Sequence, residues 1–130
     1  MKEDAVNFLV PPSRDAAVRM LRTVLYADRL RAGRMRPPVG LIKNDIRSLL
    51  ELERLLAPEP HGLPGLDFAA AAAWVERELG DPELAGLVRR EAARDVSYVD
   101  RCLGIHTVVA LRLAQAREAA GDDPSNGKEA

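Results

Sequence analysis

The chain has 130 residues, a formal net charge of −1 and a hydrophobic content of 47%. This size predicts one domain that buries a core without disulfide staples, and the single cysteine excludes an intramolecular disulfide framework. No stretch approaches 18 consecutive apolar residues, and the charged N-terminus lacks a signal-peptide pattern. We therefore expect a cytoplasmic protein that does not span a membrane.

Leucine and alanine dominate the composition, whereas only five residues are aromatic. Leucine and alanine favour helices, while β-branched and aromatic residues favour strands. The sequence therefore predicts an all-α fold, a compact bundle of four or five helices that forms a single domain over residues 1–121. Residues 122–130 are small and polar, which predicts a disordered C-terminal tail.

The first predicted helix covers residues 14–32. Ser13 provides an N-cap, and Gly33 suits the C-terminal cap. Apolar residues at spacings of three and four form the inner face of this helix. Residues 34–38, which end in two prolines, are predicted to connect it to the second helix.

The second predicted helix starts near residues 39–41 and ends at Ala57, before Pro58. Its apolar positions cover more than half of the helix circumference: Leu41, Ile42, Ile46, Leu49, Leu50, Leu52, Leu55 and Leu56. So wide an apolar arc is typical of a helix at the centre of a bundle or in a protein interface, and it predicts a homo-oligomer. Three prolines and two glycines within residues 58–65 predict an internal loop.

Three more helices are predicted, over residues 68–79, 82–93 and 98–120. Asp67, Asp81 and Ser97 occupy their N-cap positions, and Gly121 ends the last helix. A single kinked helix over residues 82–120 is the alternative to the last two. The helical spacing predicts that these leucines and valines are buried: Leu49, Leu50, Leu56, Val88, Val99, Leu103 and Leu113.

Charge is distributed unevenly along the chain. Residues 1–56 carry 11 basic and 7 acidic side chains, whereas residues 57–130 carry 8 basic and 13 acidic ones. Four arginines, which we call the basic corner, follow one another closely in the first part: Arg29, Arg31, Arg34 and Arg36. The corner predicts either a surface that binds nucleic-acid phosphates or ion pairs with acids elsewhere in the fold. The slightly acidic chain as a whole favours the ion pairs.

Cys102 and His106 lie one turn apart on the last predicted helix, where they could supply two ligands of a metal ion. A structural zinc site needs four protein ligands, and the sequence holds no second pair of this kind. A buried thiol beside a histidine that hydrogen-bonds a neighbouring helix is the simpler interpretation. We therefore predict no metal site and no cofactor.

Arg101 and His106 stand at an arginine-x4-histidine spacing. Residues 101–106 resemble the signature of HEPN-type nucleases, small helical proteins that cleave RNA without a metal. The resemblance implies that Arg101 stabilises the phosphate charge and that His106 transfers a proton or positions the substrate, usually across a dimer. A guanidinium matches phosphate geometry, and histidine titrates near neutral pH. Cys102 stands where the family commonly has a polar residue.

No other catalytic signature stands clear of the helical pattern. The sequence lacks Glu-x-x-His, His-Glu-x-x-His, a glycine-rich phosphate loop and a nucleophile elbow. We therefore expect a non-catalytic interaction or accessory module that is homo-oligomeric through the leucine-rich second helix. A nucleic-acid-binding module that uses the basic corner is the first alternative. A HEPN-like ribonuclease that uses Arg101 and His106 is the second.

Overall fold

The structure is a computed structural model that describes residues 9–121. Within this range the helices are α1 (Arg14–Leu21), α2 (Leu49–Leu56), α3 (Phe68–Glu78), α4 (Pro82–Ala92) and α5 (Tyr98–Ala120). The strands are β1 (Gly33–Arg36), β2 (Gly40–Lys43) and β3 (Leu63–Gly65), and a short 3-10 turn covers Tyr26–Asp28. The tail predicted over residues 122–130 lies outside the described residues.

A three-stranded sheet makes this a mixed α/β domain, so the predicted all-α bundle was wrong. Strand β1 lies between β2 and β3 and pairs with both in antiparallel orientation. The first predicted helix ends early, at Leu21, because the chain beyond it is extended. Leu30 there exchanges backbone hydrogen bonds with Ile46, and both side chains are buried. Tertiary pairing of this kind overrides a local helical preference.

The second predicted helix was wrong over its first half, since residues 40–43 form β2 and α2 begins only at Leu49. Ser48 Oγ accepts a hydrogen bond from the Glu51 N–H at 3.2 Å. Glu51 Oε1 in turn accepts one from the Arg47 N–H at 2.6 Å. These two hydrogen bonds resemble a capping box, with the second one shifted to the residue before the N-cap, and they fix the start of α2. The Ser-x-x-Glu pattern was present in the sequence, but apolar residues on both sides of it obscured it.

The last three helices agree closely with the sequence prediction. Asp67, Asp81 and Ser97 each accept a hydrogen bond from the backbone N–H three residues later. Gly121 ends α5 in the left-handed conformation, with φ of 78°. Helices α4 and α5 are separate, so the single kinked helix is excluded. Among residues 9–121, none of the helices has both the length and the apolar character that crossing a bilayer requires.

The core lies between the helices. Helix α5 packs against α1, α2 and α4, and α3 packs against α4, with Trp74 buried. Side-chain hydrogen bonds join the sheet to the helices. Arg34 Nη2 donates to the Leu55 carbonyl of α2, and the Tyr98 hydroxyl donates to the Pro64 carbonyl of β3.

The buried positions predicted from helical spacing are partly correct. Leu49, Leu56, Val88 and Leu113 are buried, and Leu50 is half-buried. Val99 and Leu103 were predicted wrongly, because their side chains are 43% and 39% exposed. The reason is the rotation of α5, which turns the stripe of Cys102, Ile105, Val109, Leu113 and Ala116 toward the core.

Candidate functional site

Arg29, the first arginine of the basic corner, is bound within the chain. Its Nε lies 2.8 Å from Asp45 Oδ2, and its guanidinium carbon lies 3.9 Å from the centre of the Tyr26 ring. The hydrogen bond from Arg29, followed by that from the Ala32 N–H, holds the pKa of Asp45 below its usual value. Arg29 therefore forms an ion pair within the chain.

Arg34 and Arg36 share one acidic partner, Glu59, in the loop before β3. Arg36 Nη2 lies 2.9 Å from Glu59 Oε2, and Arg34 Nη1 lies 3.8 Å from the same oxygen. Arg34 also donates from Nη2 to the Leu55 carbonyl at 3.3 Å. Arg31 is exposed and makes no ion pair with any of residues 9–121. The basic corner therefore presents one open arginine instead of four.

Two further arginines from the basic part of the chain cap a helix. Arg19 Nη2 donates to the Arg77 carbonyl at 3.3 Å, and Arg22 Nη2 donates to the Glu78 carbonyl at 2.7 Å. Cations suit this position, since the carbonyls at a helix C-terminus carry partial negative charge. These two arginines thus also serve contacts inside the fold, although their acceptors are carbonyls and not carboxylates.

The structure does not bring Arg101 and His106 together within one chain. Residues five positions apart on a helix point about 140° apart. Arg101 Nε donates to the Arg94 carbonyl just after α4, whereas His106 Nε2 lies 2.9 Å from Glu53 Oε2 on α2. The two residues contact different parts of the chain, so the arrangement that the HEPN resemblance implies would need a second chain.

Cys102 is buried, with only 3% of its surface exposed. Burial raises the pKa of its thiol and also that of the neighbouring Tyr98 hydroxyl. A buried neutral thiol is a poor nucleophile and a poor metal ligand. Among residues 9–121, no three or more histidine, cysteine, aspartate or glutamate side chains are grouped so that they could hold a metal ion.

Sequence reasoning missed an apolar row on the open face of the sheet. Directly paired residues of antiparallel strands point to the same face, and Met35 pairs with Leu41 on β2 and with Leu63 on β3. We call Met35, Leu41 and Leu63 the apolar row. Their side chains are 43%, 61% and 42% exposed. The row therefore crosses all three strands, and residues 9–121 cover its side chains only in part.

Two glycines position Leu41 within the apolar row. A Cβ atom at Gly33 would lie 2.8 Å from Leu41 Cδ1, and one at Gly65 would lie 2.7 Å from the same atom. Gly33 and Gly65 are themselves directly paired across β1 and β3. Because neither has a side chain, Leu41 can lie flat across the sheet and join the three strands into one apolar surface.

Two clefts extend this surface away from the sheet. The larger, about 580 Å³, is lined by Met35, Pro37 and Leu63 among others. The smaller, about 170 Å³, is lined by Leu63 together with Val99 and Leu103 of α5. Since Leu63 lines both clefts, the exposed apolar surface continues from strands β1 and β2 to helix α5. Val99 and Leu103 belong to this surface instead of the core.

Signals for the sheet were present in the sequence. Pro37, Pro38 and Gly40 stand together, as is typical of a turn between two strands. Gly40 adopts a φ of 101°, a conformation that favours glycine. Ile42 and Ile46 are β-branched, which favours strands. The leucine spacing that begins at Leu49 outweighed these signals.

Comparisons with known proteins find no matching family model, no matching curated protein and no matching solved structure.

Proposed function

We propose that this chain is a non-catalytic interaction module that forms homo-oligomers through the apolar row. The observation that carries the proposal is the alignment of three large, exposed apolar side chains across one face of the sheet. A contiguous exposed apolar surface is typical of a protein interaction site. The clefts beside Leu63 enlarge this surface and make it concave in two places.

The proposed contact surface differs from the one that the sequence predicted. The leucine-rich helix α2 buries Leu49, Leu52, Leu55 and Leu56 within its own chain. The apolar residues that exceeded the need of one helix face, Leu41 and Ile42, lie on β2 and are exposed. The extra apolar residues from which the sequence predicted a homo-oligomer therefore lie on strand β2 and not on helix α2.

The two alternative functions have less support. A nucleic-acid surface at the basic corner would have to compete with Asp45 and Glu59 for three of its four arginines. A ribonuclease site would need Arg101 and His106 to converge, although Arg101 binds the turn after α4 and His106 binds α2. Neither alternative has a solvent-open constellation comparable with the apolar row.

Sedimentation equilibrium tests the proposal with the full chain from about 10 µM to about 1 mM, a range that detects weak association. We expect the average mass to rise from one chain toward two. Met35→Lys should abolish this rise, because it places a charge in the middle of the row. Leu25→Lys is the matched control, since Leu25 is exposed but lies outside the sheet. A wild-type chain that stays monomeric throughout would overturn the proposal.

A further inference from the structure

The outer edge of β2 carries backbone groups that no other strand in the described part of the chain uses. The Asn44 N–H donates to the Ala32 carbonyl at 3.0 Å, which identifies these two residues as a hydrogen-bonded pair. Such pairs alternate along an antiparallel ladder, so Leu41 and Lys43 turn their N–H and C=O groups away from β1. A free strand edge of this kind is a template for a further strand.

The side chains along this edge do little to protect it. Proteins commonly block an exposed edge with charged residues or prolines inside the strand. Strand β2 carries a single charge, Lys43, whose side chain is 69% exposed. Leu41 and Ile42 of β2 are apolar and 61% and 40% exposed, and Val39, just before the strand, is apolar and 72% exposed. An apolar edge with free backbone groups fits a partner that is itself a strand.

We propose that β2 pairs with β2 of a second copy, antiparallel about a twofold axis beside Leu41. The inference rests on the proposed function and specifies how the two copies meet. Leu41 of each copy donates its N–H to the Leu41 carbonyl of the other. The two sheets then form one continuous sheet of six strands, in which this edge of each copy is no longer open.

This register joins the two apolar rows. A twofold axis perpendicular to the sheet keeps the same face of both copies on the same side. The order Leu63, Met35, Leu41 therefore continues directly into Leu41, Met35 and Leu63 of the second copy. Cross-strand apolar pairs are the unit that stabilises a sheet, so the two rows support each other.

Two features distinguish this register from its neighbours, the avoidance of like charges and the continuity of the apolar row. Centring on Leu41 places Lys43 opposite Val39 of the second copy, so no like charges meet. Centring on Lys43 would place two ammonium groups opposite each other. Centring on Ile42 would set Lys43 opposite Leu41 of the second copy and break the continuous row. Residues 122–130 carry no large apolar side chain that could cover the apolar row in place of a second copy.

Disulfide trapping tests the register. In a Cys102→Ala background, the substitutions Leu41→Cys and Lys43→Cys each provide a single cysteine on the same face of β2. The Leu41 Cα atoms of a hydrogen-bonded pair would be about 5.5 Å apart, within disulfide range. The Lys43 positions would be offset by four residues, about 13 Å along the strands. Leu25→Cys, which is exposed outside the sheet, reports random collisions.

On mild oxidation we expect Leu41→Cys to form covalent dimers about tenfold faster than Lys43→Cys or Leu25→Cys, because only its thiols are within disulfide range. Equal rates at Leu41→Cys and Lys43→Cys would overturn this register. Self-association of the wild type without preferential trapping at Leu41→Cys would overturn the edge pairing and leave the proposed function standing. A monomeric wild type would overturn both.

Discussion

The buried guanidinium of Arg112 connects parts of the chain that are far apart in sequence. Only 1% of this residue is exposed, and its Nε lies 2.9 Å from Asp81 Oδ2. Its Nη2 contacts Glu83, and its Nη1 donates to the Val10 carbonyl at 2.8 Å. Asp81 at the same time caps the first turn of α4 through its other oxygen. One arginine therefore holds the start of the described chain and the start of α4 against α5.

Replacing Arg112 should be strongly destabilising. Arg112→Ala leaves the buried Asp81 carboxylate and the partly exposed Glu83 without their cation, and breaking a buried ion pair costs about 3–5 kcal/mol. Arg14→Ala is the matched control, since Arg14 is exposed on α1 and should change stability by less than about 0.5 kcal/mol. Urea unfolding followed by circular dichroism measures both. An Arg112→Ala variant as stable as the control would show that the ion pairs contribute nothing.

Helix α5 carries two sets of apolar side chains that point in different directions. Cys102, Ile105 and Val109 point into the core, whereas Val99 and Leu103 line the cleft beside Leu63. Val99 and Leu103 are four residues apart, a spacing that the buried set also contains, so periodicity alone does not say which set is buried. Gly104 lies where α5 approaches the end of α4 closely. A Cβ atom there would lie 3.1 Å from Arg94 Nη1 and still closer to the Glu91 carboxylate.

The two stripes predict opposite outcomes for truncation. Ile105→Ala should cost about 2–5 kcal/mol, because Ile105 is 1% exposed and its loss leaves a cavity. Leu103→Ala should cost less than about 1 kcal/mol, since Leu103 is 39% exposed. Chemical denaturation of the two variants measures the difference. A larger loss for Leu103→Ala would mean that Val99 and Leu103, and not the buried set, hold α5 in place.

Local signals made some elements predictable and left others hidden. Asp67, Asp81 and Ser97 act within three residues of their own position, so the sequence alone locates the helices that they begin. The sheet instead depends on pairing between Gly33 and Gly65, which lie far apart in sequence. Neither β1 nor β3 shows a strong alternation of apolar and polar residues, because strands of four and three residues are too short to show one.

For the molecule as a whole, five arginines of the basic part of the chain bind groups within the fold. Arg19 and Arg22 cap α3, and three arginines of the basic corner meet Asp45 or Glu59. The sequence therefore predicted the ion-pair interpretation without identifying the acids. It could not predict the apolar row, because that surface exists only once the three strands are side by side.

The basic corner provides a test that separates internal ion pairs from nucleic-acid binding. Combining Arg34→Ala with Arg36→Ala removes both partners of Glu59 and the Arg34 contact to the Leu55 carbonyl. We expect a loss of about 1–2 kcal/mol in the free energy of unfolding, the sum of modest partly exposed contacts. Arg31→Ala should change it by less than about 0.5 kcal/mol, because this exposed side chain has no ion pair with the described residues.

The same variants decide the nucleic-acid alternative by fluorescence anisotropy with single- and double-stranded RNA and DNA at low salt. If the arginines serve the fold, the wild type should show no saturable binding even at low ionic strength. Phosphate contacts would instead produce binding that weakens steeply with salt, with a slope reduced by about one unit for each arginine removed. Binding that Arg31→Ala weakens without a loss of stability would identify Arg31 as a phosphate contact and reverse the preference for an interaction module.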